Sequence, residues 1–406
     1  MKKKLLFVHP NMNFGGVESA LLAALRMLSP EKYDITLMLD RLGGPTFDEI
    51  PNYINVGEIP MTPIGDYRRR NGWNATVKYA LKSGCVWYAI RMIALKLWWI
   101  LIYRWRGVNF GDLEAFQLND DVDVSRLPGG IDFAFAYFGG IHNGDFVSRY
   151  FNNSTTAIWF HNGGTRFRYR RYREVTCRFD HVFACSKSLA ELFNRTLSRG
   201  DIHWKVMPHY IDFESYRKQA ENGEGLPEPK HGRLRLLTVA RLDRQKGIDI
   251  AIEAAKVLVG KELDFVWYII GGGAPEEEYK RLTNVKQVGD RFVFLGARKN
   301  PFPAYKDCDI YVQPSRLEAY CLTLAEARAF DKPIVTTDFV GANEQIVNEE
   351  TGLIVLAENV ASLVEGIERL IKDEALRTRL SNNLAVRKSC QTQEAVEAWE
   401  KLLKSH

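Results

Sequence analysis

Residues 315–329 read SRLEAYCLTLAEARA, and this stretch carries the strongest signal for the fold. The apolar run Ile310–Val312 precedes it and predicts a short buried strand. An Ala- and Leu-rich pattern continues through Glu326 and predicts a helix, and residues 332–337 (KPIVTT) predict the next strand. The stretch is therefore predicted as strand, loop, helix and strand, with Glu318 at the helix entrance and Glu326 inside the helix.

This arrangement predicts a binding site for an anion beside hydroxyl groups. Backbone N–H groups around Cys321, Leu322 and Thr323 would lie at the start of the helix, where they favour negative charge. Two solvated glutamates on an amphipathic helix are the simpler interpretation. A glycoside hydrolase is another, but eight positions on one helix span about 12 Å, beyond the ~5–9.5 Å between glycosidase carboxylates. The spacing favours binding of a nucleotide sugar over acid–base chemistry.

The same residues, with GANEQIV at 341–347 and TGLIV at 351–355, resemble the signature of retaining glycosyltransferases of the GT-B fold, family four (group 1). The resemblance covers nearly the whole chain and is strongest over residues 234–356. It implies that Glu318 contacts hydroxyls of the donor sugar and that Glu326 contacts the ribose of the nucleotide. Relatives often carry glycine or proline where this chain has Cys321 and Leu322.

Composition indicates a soluble α/β protein of two domains. A length of 406 residues exceeds one ordinary core, and a hydrophobic fraction of 46% is that of a globular chain. Six scattered cysteines without a Cys-x-x-Cys pair predict reduced thiols in a cytoplasmic protein. The apolar run that follows the first lysines is only four residues long, which favours a buried strand over a signal peptide.

Strand-like runs alternate with helical patterns in both halves, which predicts two doubly wound, Rossmann-like domains facing across a cleft. Residues 1–215 are predicted as the acceptor-binding domain and residues 233–389 as the nucleotide-sugar-binding domain. The linker is placed at 216–232, where the chain is polar and rich in Gly and Pro. The resemblance implies that the C-terminal helix, about residues 390–406, completes the first domain.

Glycines are expected to line the donor site. Gly15 and Gly16 lie between the first strand and the first helix, where the backbone can approach a ligand. The Gly-x-Gly-x-x-Gly pattern of dinucleotide sites is absent. By resemblance, Gly15 and Gly16 face the diphosphate or the acceptor, Gly272 lines the nucleotide, and Arg298 lies in the segment that holds the base.

Two cations are predicted to bind the leaving diphosphate. Arg241 and Lys246 follow the strand-like run that ends at Val239, so they point into the ligand cleft and can neutralise developing charge. In the resembled family these residues replace a metal ion. Two Asp-x-Asp triplets, 121–123 and 307–309, are interpreted as structural, and neither a metal nor another cofactor is expected.

His161 ends a strand-like run of the first domain. The resemblance places a histidine here against the donor sugar and the reacting centre. The following segment is basic and aromatic, and its guanidinium groups suit phosphate, as in a lipid pyrophosphate or an anionic membrane. RNA and a solvated charged helix are the alternatives. The arginines are Arg166, Arg168, Arg170, Arg171 and Arg173.

Residues 76–106 combine aromatic and basic side chains, including Trp98 and Trp99. No uncharged run approaches the roughly 18–20 residues of a membrane-spanning helix. Either the segment is a helix buried in the first domain, or it lies on a membrane surface with aromatic anchors and basic flanks. Peripheral contact with the inner face of the cell membrane is favoured.

Together these features predict a metal-independent, retaining glycosyltransferase. It would move a hexose or N-acetylhexosamine from a nucleotide-diphosphate sugar, UDP-linked by expectation, to a lipid-linked or other glycan of the cell surface. Catalytic roles are expected for His161, Glu318, Arg241 and Lys246. The donor site is expected to hold Gly15, Gly16, Arg241, Lys246, Gly272, Arg298, Glu318, Cys321, Leu322, Thr323 and Glu326. A nucleotide-sugar 2-epimerase and an inactive membrane- or nucleic-acid-binding protein are the alternatives.

Overall fold

A computed structural model describes residues 2–98, 100–101, 119–137, 141–161, 174–196, 202–228 and 232–404, with only the backbone described at residues 141 and 387–391. Two parallel sheets form the framework of this part of the chain. The first has the order β3-β2-β1-β4-β5-β6-β7, and the second has the order β10-β9-β8-β11-β12-β13.

The strands of the first sheet are β1 Lys3–His9, β2 Tyr33–Leu39, β3 Asn55–Glu58, β4 Phe133–Ala136, β5 Thr155–Phe160, β6 His181–Ala184 and β7 Lys205–Val206. Those of the second are β8 Leu234–Val239, β9 Phe265–Ile270, β10 Phe292–Phe294, β11 Ile310–Gln313, β12 Ile334–Thr337 and β13 Leu353–Val355. The helices are α1 Gly16–Met27, α2 Pro63–Lys82, α3 Val86–Trp98, α4 Ile141–Tyr150, α5 Lys187–Thr196, α6 Phe213–Gln219, α7 Ile248–Gly260, α8 Glu276–Val285, α9 Phe302–Asp307, α10 Leu322–Ala329, α11 Ala342–Gln345, α12 Val360–Lys372 and α13 Glu374–Lys404.

Both faces of the first sheet are covered, which explains why its central strands are continuous apolar runs. Alternate residues of β1 point to opposite faces. Phe7 joins the core formed with α1, whereas Val8 joins the core formed with Phe146 of α4. The predicted doubly wound architecture of both domains is confirmed.

The C-terminal helix α13 leaves the second sheet and ends on the first. Near its end, Trp399 is 1% exposed and packs against Phe7, Phe135 and Trp159, with ring centroids 5.4–6.1 Å apart. Lys3 donates a hydrogen bond from Nζ to the carbonyl oxygen of Leu403 at 2.7 Å. The chain therefore crosses between the lobes twice, and the second crossing is anchored by a buried aromatic cluster.

Three local features differ from the sequence-based expectations. Strand β3 was not predicted because NVGE contains no apolar run, and it pairs only with β2 at the sheet edge. Strand β13, at one edge of the second sheet, was not assigned as a strand and is only three residues long. Residues 216–219 of the predicted linker belong to α6, where Tyr216 stacks on Phe302 with ring centroids 4.5 Å apart.

A carboxylate from the second lobe caps a helix of the first. The Glu344 carboxylate accepts hydrogen bonds from the backbone N–H groups of Lys187 and Ser188, both at 2.8 Å. These N–H groups belong to the first turn of α5, which lacks intrahelical partners for them and carries a partial positive charge. Beside them, Ser186 Oγ donates to the carbonyl oxygen of Ala319 at 3.0 Å.

Removing this cap should destabilise the closed arrangement of the lobes. We expect Glu344→Ala to lower the free energy of unfolding by about 1–2 kcal/mol, the usual cost of losing a charged N-terminal cap. Urea unfolding followed by far-UV circular dichroism measures the change. Glu365→Ala, at an exposed glutamate on α12, is the control and should change the stability by less than about 0.5 kcal/mol. Equal values for the two variants would contradict the capping role.

Candidate functional site

A cavity of about 470 Å³ opens between the two lobes. The first lobe contributes the loop before α1 and the start of that helix, and the second contributes the carboxyl ends of β8 and β9 and the start of α10. Its lining includes these residues predicted for the donor site: Gly15, Gly16, Arg241, Gly272, Arg298, Leu322, Thr323 and Glu326. Ligands of open α/β sheets bind at such carboxyl-terminal edges.

The loop between β11 and α10 carries Glu318, which, like its partner Lys246, is not among the residues that line this cavity. Glu318 lies in this loop, because α10 begins only at Leu322. The 12 Å estimate for two glutamates on one helix is therefore wrong, although the loop–helix order was predicted. Lys246 donates from Nζ to Glu318 Oε1 at 2.6 Å, and the two side chains are 15% and 12% exposed.

Cys321 directly precedes α10 in the left-handed region, with φ 70° and ψ 84°. Glycine adopts this conformation without a Cβ penalty, so a cysteine here is strained locally. The thiol is buried and lies 3.4 Å from Thr323 Oγ1. Cys321 therefore shapes the helix entrance and does not line the cavity, whereas Leu322 and Thr323 do.

A series of linked hydrogen bonds between buried polar side chains holds the Glu318 carboxylate. Ser315 donates from Oγ to Glu318 Oε1 at 3.1 Å, and Gln313 Nε2 donates to Ser315 Oγ at 2.8 Å. Thr323 donates from Oγ1 to Gln313 Oε1 at 3.1 Å, which ties the start of α10 to the same series. Sequence reasoning assigned no role to Gln313 or Ser315. Two polar residues, two positions apart at the end of an apolar strand, were the available signal.

Glu326 is almost fully buried on α10 and still reaches the cavity. Burial raises the pKa of its carboxyl from 4.5 to about 7, and a hydrogen bond from the Tyr305 hydroxyl opposes this shift. The hydroxyl lies 2.8 Å from Glu326 Oε2. A carboxylate held with one such donor retains lone pairs for ligand hydroxyls.

Two glycines on the cavity wall are closely packed, Gly16 against the other lobe and Gly271 within its own. Gly16 lies against Leu322, since a Cβ on Gly16 would come within 3.3 Å of Leu322 Cδ1. Gly271 has φ +150°, and a Cβ there would overlap the carbonyl oxygen of Ala240. Gly272, the predicted glycine, lines the cavity, and a Cβ there would make only ordinary contact with Ala297. The backbone constraint of this turn therefore lies at Gly271 and at Gly273, where a Cβ would overlap the carbonyl oxygen of Leu242.

The two arginines that line the cavity differ in how firmly their guanidinium groups are held by neighbouring atoms. The Arg241 side chain is 68% exposed, with Asp243 Oδ2 3.4 Å from its guanidinium. The Arg298 guanidinium donates to the carbonyl oxygens of Glu224 and Gly225 at 2.7 and 2.9 Å. Arg298 is thus anchored to the backbone between the lobes, whereas Arg241 is the more exposed cation of the pair.

His161 lies at the end of β5 and does not line the cavity, since its side chain is buried. Its ring packs between Tyr137, Trp159 and His209. Its Nε2 lies 2.5 Å from the carbonyl oxygen of Tyr137, which can only accept, so Nε2 carries the proton. Burial, with His209 beside it, lowers the pKa of His161 well below 6.5. The imidazole is neutral at pH 7.

His209 is a residue that sequence reasoning missed. Its ring stacks on His161 at 5.1 Å between centroids and meets Tyr320 edge to face at 5.0 Å. Burial lowers the pKa of His209 to about 3. A lone histidine in a loop has no sequence signal for this role, because its partners come from both lobes. The pair connects β5 to the loop that carries Glu318.

The aspartates of the two Asp-x-Asp triplets have structural partners. Asp121 receives hydrogen bonds from Arg68 Nη1 at 2.8 Å and from the Tyr88 hydroxyl at 2.6 Å. Asp309 accepts from the backbone N–H of Arg235 at 2.7 Å. Within the described ranges, no cluster of three or more His, Cys, Asp or Glu side chains could hold a metal ion.

The predicted acceptor and membrane residues are described only in part. Arg166, Arg168, Arg170, Arg171, Arg173 and Trp99 lie outside the described residues. Helix α3 buries Ala89 and Met92, so the interpretation as a buried helix fails for most of its length. Trp87 and Trp98 are 84% and 42% exposed. In the described part of the chain, every helix is too short or too polar to span a bilayer.

Part of this chain is similar in sequence to known proteins. Residues 226–387 match the profile of the family described as Glycosyl transferases group 1. The chain is 31% identical over 150 residues to the capsular polysaccharide biosynthesis glycosyltransferase CapM of Staphylococcus aureus, covering 36% of this chain and 38% of that protein. It is 34% identical over 151 residues to the N,N'-diacetylbacillosaminyl-diphospho-undecaprenol alpha-1,3-N-acetylgalactosaminyltransferase of Campylobacter jejuni, covering 37% and 39%. The chain therefore matches well under two thirds of either relative's length.

Solved structures resemble the whole chain. HepE of Anabaena, in complex with UDP and glucose, superposes with a TM-score of 0.69 at 16% identity, covering 100% of both chains. A glycosyltransferase from Rickettsia africae superposes with the same TM-score at 15% identity, again over 100% of both chains. These likenesses confirm the predicted GT-B architecture of two facing Rossmann-like domains.

Proposed function

We propose that this protein is a retaining glycosyltransferase that uses a nucleotide-diphosphate sugar, with UDP as the nucleotide. The observation that carries the proposal is the cavity between the lobes, where residues predicted for the donor site from distant parts of the sequence meet. The profile match of the second lobe and the relatives named above support the class of reaction. The structural neighbour solved with UDP and glucose supports the choice of donor.

The donor would lie with its diphosphate between Arg241 and the amino end of α10. A helix amino terminus and an exposed guanidinium both favour a phosphate. Lys246 would hold the oxygen from which the sugar departs, and Glu318 would accept hydrogen bonds from the hydroxyls of the sugar. Glu326 would accept hydrogen bonds from the ribose hydroxyls, because its buried carboxylate lies one turn further along α10 and still reaches the cavity.

The chemistry would proceed on one face of the sugar. The acceptor hydroxyl oxygen bonds to the anomeric carbon as the bond from that carbon to the diphosphate oxygen breaks, and the hydroxyl proton moves to that oxygen. Arg241 and Lys246 stabilise the negative charge that develops on the leaving group. This assignment needs no metal, since fixed cations and the helix amino end supply the positive charge.

His161 would act from the first lobe as a neutral positioning group. Nε2 donates its proton to the Tyr137 carbonyl, which leaves Nδ1 as an acceptor that is buried and has no hydrogen-bond partner among the described residues. An unprotonated Nδ1 can accept a hydrogen bond from a sugar or acceptor hydroxyl. The stack with His209 and Tyr320 would hold the ring in register with the Glu318 loop.

The acceptor would be a lipid-linked or other cell-surface glycan, reached from the cytoplasmic face of the membrane. The exposed apolar side of α3, including Trp87, Leu97 and Trp98, supports peripheral membrane contact. Lys82 and Arg91 are exposed beside it, which suits anionic lipid headgroups. The arginines of residues 166–173 would add to the same attraction or would bind the pyrophosphate of the acceptor.

If α3 contacts the membrane, replacing one of its exposed tryptophans should weaken vesicle binding. We expect Trp87→Ser to weaken binding to vesicles of phosphatidylglycerol and phosphatidylcholine about tenfold, because burial of a large apolar side chain contributes ~1.5–3 kcal/mol. Vesicle co-sedimentation measures the partition coefficient. Val386→Ser is the control, since Val386 is similarly exposed on α13. Wild-type protein that stays in the supernatant would refute the contact.

The reaction itself is tested with labelled UDP- and GDP-sugars, incubated with and without a bacterial membrane extract. Transfer of label to the extract with a UDP-sugar supports the proposal. A changed nucleotide sugar without extract would instead indicate a 2-epimerase. Absence of turnover with RNA retained on the protein would indicate an inactive binding protein. The mass and anomeric configuration of the product then identify the sugar and test retention.

A further inference from the structure

Arg316 lies two residues before Glu318 and does not line the cavity between the lobes. Its side chain is only 16% exposed, although it carries a permanent charge. A guanidinium that is mostly withdrawn from water needs acceptors for its N–H groups, because unpaired donors in such a place are costly. The acceptors around Arg316 connect four separate parts of the second lobe.

Two carboxylates hold the plane of the Arg316 guanidinium. Nη1 and Nη2 donate to Asp249 Oδ1 and Oδ2 at 2.8 and 2.7 Å, the paired geometry in which arginine binds a carboxylate most strongly. Nε donates to Glu358 Oε1 at 2.8 Å. Asp249 belongs to the first turn of α7, where the amino end of the helix favours negative charge. The orientation of the guanidinium is therefore fixed from outside the cavity.

The oriented guanidinium also bonds the short turn that carries Lys246. Residues Arg244–Lys246 form a single turn of 3-10 helix. Arg316 Nη1 donates to the carbonyl oxygen of Arg244 at 2.7 Å, and the backbone N–H of Arg316 donates to the carbonyl oxygen of Gln245, also at 2.7 Å. Two successive carbonyl oxygens of the turn are thus bonded to one residue of the loop that carries Glu318.

Gly247 brings the same two loops into direct contact. Its φ is +67°, in the left-handed region that glycine adopts without a Cβ penalty. A Cβ on Gly247 would overlap the carbonyl oxygen of Pro314. One residue earlier, Lys246 Nζ meets Glu318 Oε1 at 2.6 Å. The loop after β8 and the loop after β11 therefore contact each other through backbone, guanidinium and ion pair.

The position of the Lys246 ammonium depends on the turn, because a lysine side chain is flexible and its charge is a single point. In the proposed reaction this ammonium stabilises the departing oxygen, and a misplacement of about 1 Å can cost about 10²-fold in rate. Glu318 restrains the end of the lysine side chain, whereas the Arg244 carbonyl bond restrains the backbone from which it starts.

We propose that Arg316 is a positioning residue that acts through Lys246, its guanidinium holding the turn that places the Lys246 ammonium at the leaving diphosphate. The inference rests on the proposed function and adds a residue outside the cavity to it. Because Arg241 and the amino end of α10 would hold the diphosphate in the ground state, Arg316 contributes to kcat and not to the affinity for UDP.

Replacing Arg316 by methionine tests this role. We expect Arg316→Met to lower kcat at saturating UDP-sugar about 10²-fold and to leave the Kd of UDP within about twofold of wild type. Arg316→Lys should lower kcat about tenfold, because a lysine keeps the charge but cannot donate to a carboxylate and a carbonyl oxygen in one plane. Initial rates measure kcat, and calorimetry measures the Kd.

Arg369→Met is the matched control. Arg369 also donates to both carboxylate oxygens of one residue, Glu349, at 2.6 and 2.8 Å, and neither of the two lines the cavity. This pair is more exposed and does not involve the turn of Lys246. Arg369→Met should therefore change kcat by less than about twofold, as expected for a surface ion pair.

The same substitution in the Lys246→Met background separates positioning from general damage to the lobe. If Arg316 acts through Lys246, Arg316→Met should lower the kcat of Lys246→Met by less than about twofold, since the group that it positions is already gone. A substitution that only destabilises the lobe would lower kcat by the same factor in both backgrounds. Titration with UDP gives the concentration of folded protein in each sample, to which kcat is referred.

The wild-type protein separates this inference from the proposed function. If it transfers label from no nucleotide sugar, the proposed function fails and the inference falls with it. If it transfers sugar but Arg316→Met matches Arg369→Met, or lowers kcat equally in both backgrounds, the positioning role is wrong and the proposed function stands. Should Arg316→Met not fold, Arg316→Lys takes its place, and equal losses in its two backgrounds would overturn the proposal.

Discussion

Replacing Glu326 by glutamine should stabilise the free protein at pH 8 and weaken its binding of UDP. The carboxyl is buried, and burial raises its pKa from 4.5 to about 7. A shift of this size corresponds to about 3 kcal/mol, at ~1.4 kcal/mol per pKa unit. Glutamine keeps an acceptor for the Tyr305 hydroxyl and removes the ionisation, so it should recover most of that energy.

The direction of the Glu326 pKa shift determines how the stability of the protein changes with pH. Because the pKa of the folded protein is higher than that of the unfolded chain, the Glu326 carboxyl binds a proton more tightly when folded. It imposes no penalty below about pH 4.5, and the stability falls as the pH rises from there through 7. Wild type and Glu326→Gln should therefore have similar urea midpoints near pH 5 and diverge by pH 8. Equal midpoints at pH 8 would contradict ionisation of a buried carboxyl.

UDP affinity should change in the opposite direction. If the Glu326 carboxylate accepts hydrogen bonds from the ribose, its loss removes a charge-assisted interaction of ~1.5–3 kcal/mol, or about 10–100-fold in affinity. The terminal phosphate of UDP titrates at about pH 6 in both cases, so the role of Glu326 is read from the ratio of the two affinities: wild type should gain relative to Glu326→Gln as the pH rises through 7. Calorimetry at several pH values measures both. Glu278→Gln, at an exposed residue of α8, is the control; an unchanged affinity in Glu326→Gln would remove the ribose-binding role.

Lys246→Met should reduce the transfer rate about 10²–10³-fold, the usual cost of losing a group that stabilises developing charge. Methionine preserves much of the side-chain volume and removes the ammonium group. The loss should lie in kcat, because stabilisation of the leaving diphosphate is needed most in the transition state. Initial rates at saturating UDP-sugar measure it. A variant with unchanged kcat would show that Lys246 only supports the fold.

Glu318, the ion-pair partner of Lys246, allows the stability effect of the pair to be tested separately. Lys246→Met leaves Glu318 mostly buried, with Ser315 as its remaining side-chain donor among the described residues, so the protein should also lose stability. Adding Glu318→Gln removes the unpaired charge, and the double variant should be more stable than Lys246→Met alone. Lys261→Met breaks the more exposed pair with Glu368 and should change the stability by less than about 1 kcal/mol. Equal losses in the two lysine variants would argue against special burial of the Lys246 pair.

Much of the architecture could be predicted because central parallel strands are apolar on both faces. The runs at 234–239, 265–270 and 310–312 mark β8, β9 and β11 almost to the residue. The edge strand β3 was missed because it has one neighbour and no apolar run, whereas the short edge strand β13 was left unassigned although its residues LIV are apolar. Residues 216–219 look like a linker by composition, yet they are helical because Tyr216 finds Phe302 in the second lobe.

The lining of the cavity between the lobes was predictable where its residues fall in local motifs. Glycine turns and the glutamates after β11 have a fixed spacing along the chain, so they can be recognised without knowing what they contact. Gln313, His209 and Glu344 have no such spacing. Gln313 bonds to Thr323, His209 contacts Tyr320, and Glu344 caps the amino end of α5. Each of these partners is at least ten residues away along the chain.

The amino-acid sequence alone determined the two doubly wound lobes, since these follow from the periodicity of the apolar runs, and the family resemblance pointed to several residues that line the cavity between the lobes. Only the tertiary structure decided that Glu318 lies outside the helix and pairs with Lys246, that His161 is buried beside a second histidine, and that Arg316 bonds the turn that carries Lys246. The physical reason is that burial and charge pairing depend on neighbours brought together by the crossing of strands and lobes, which no single stretch of sequence contains.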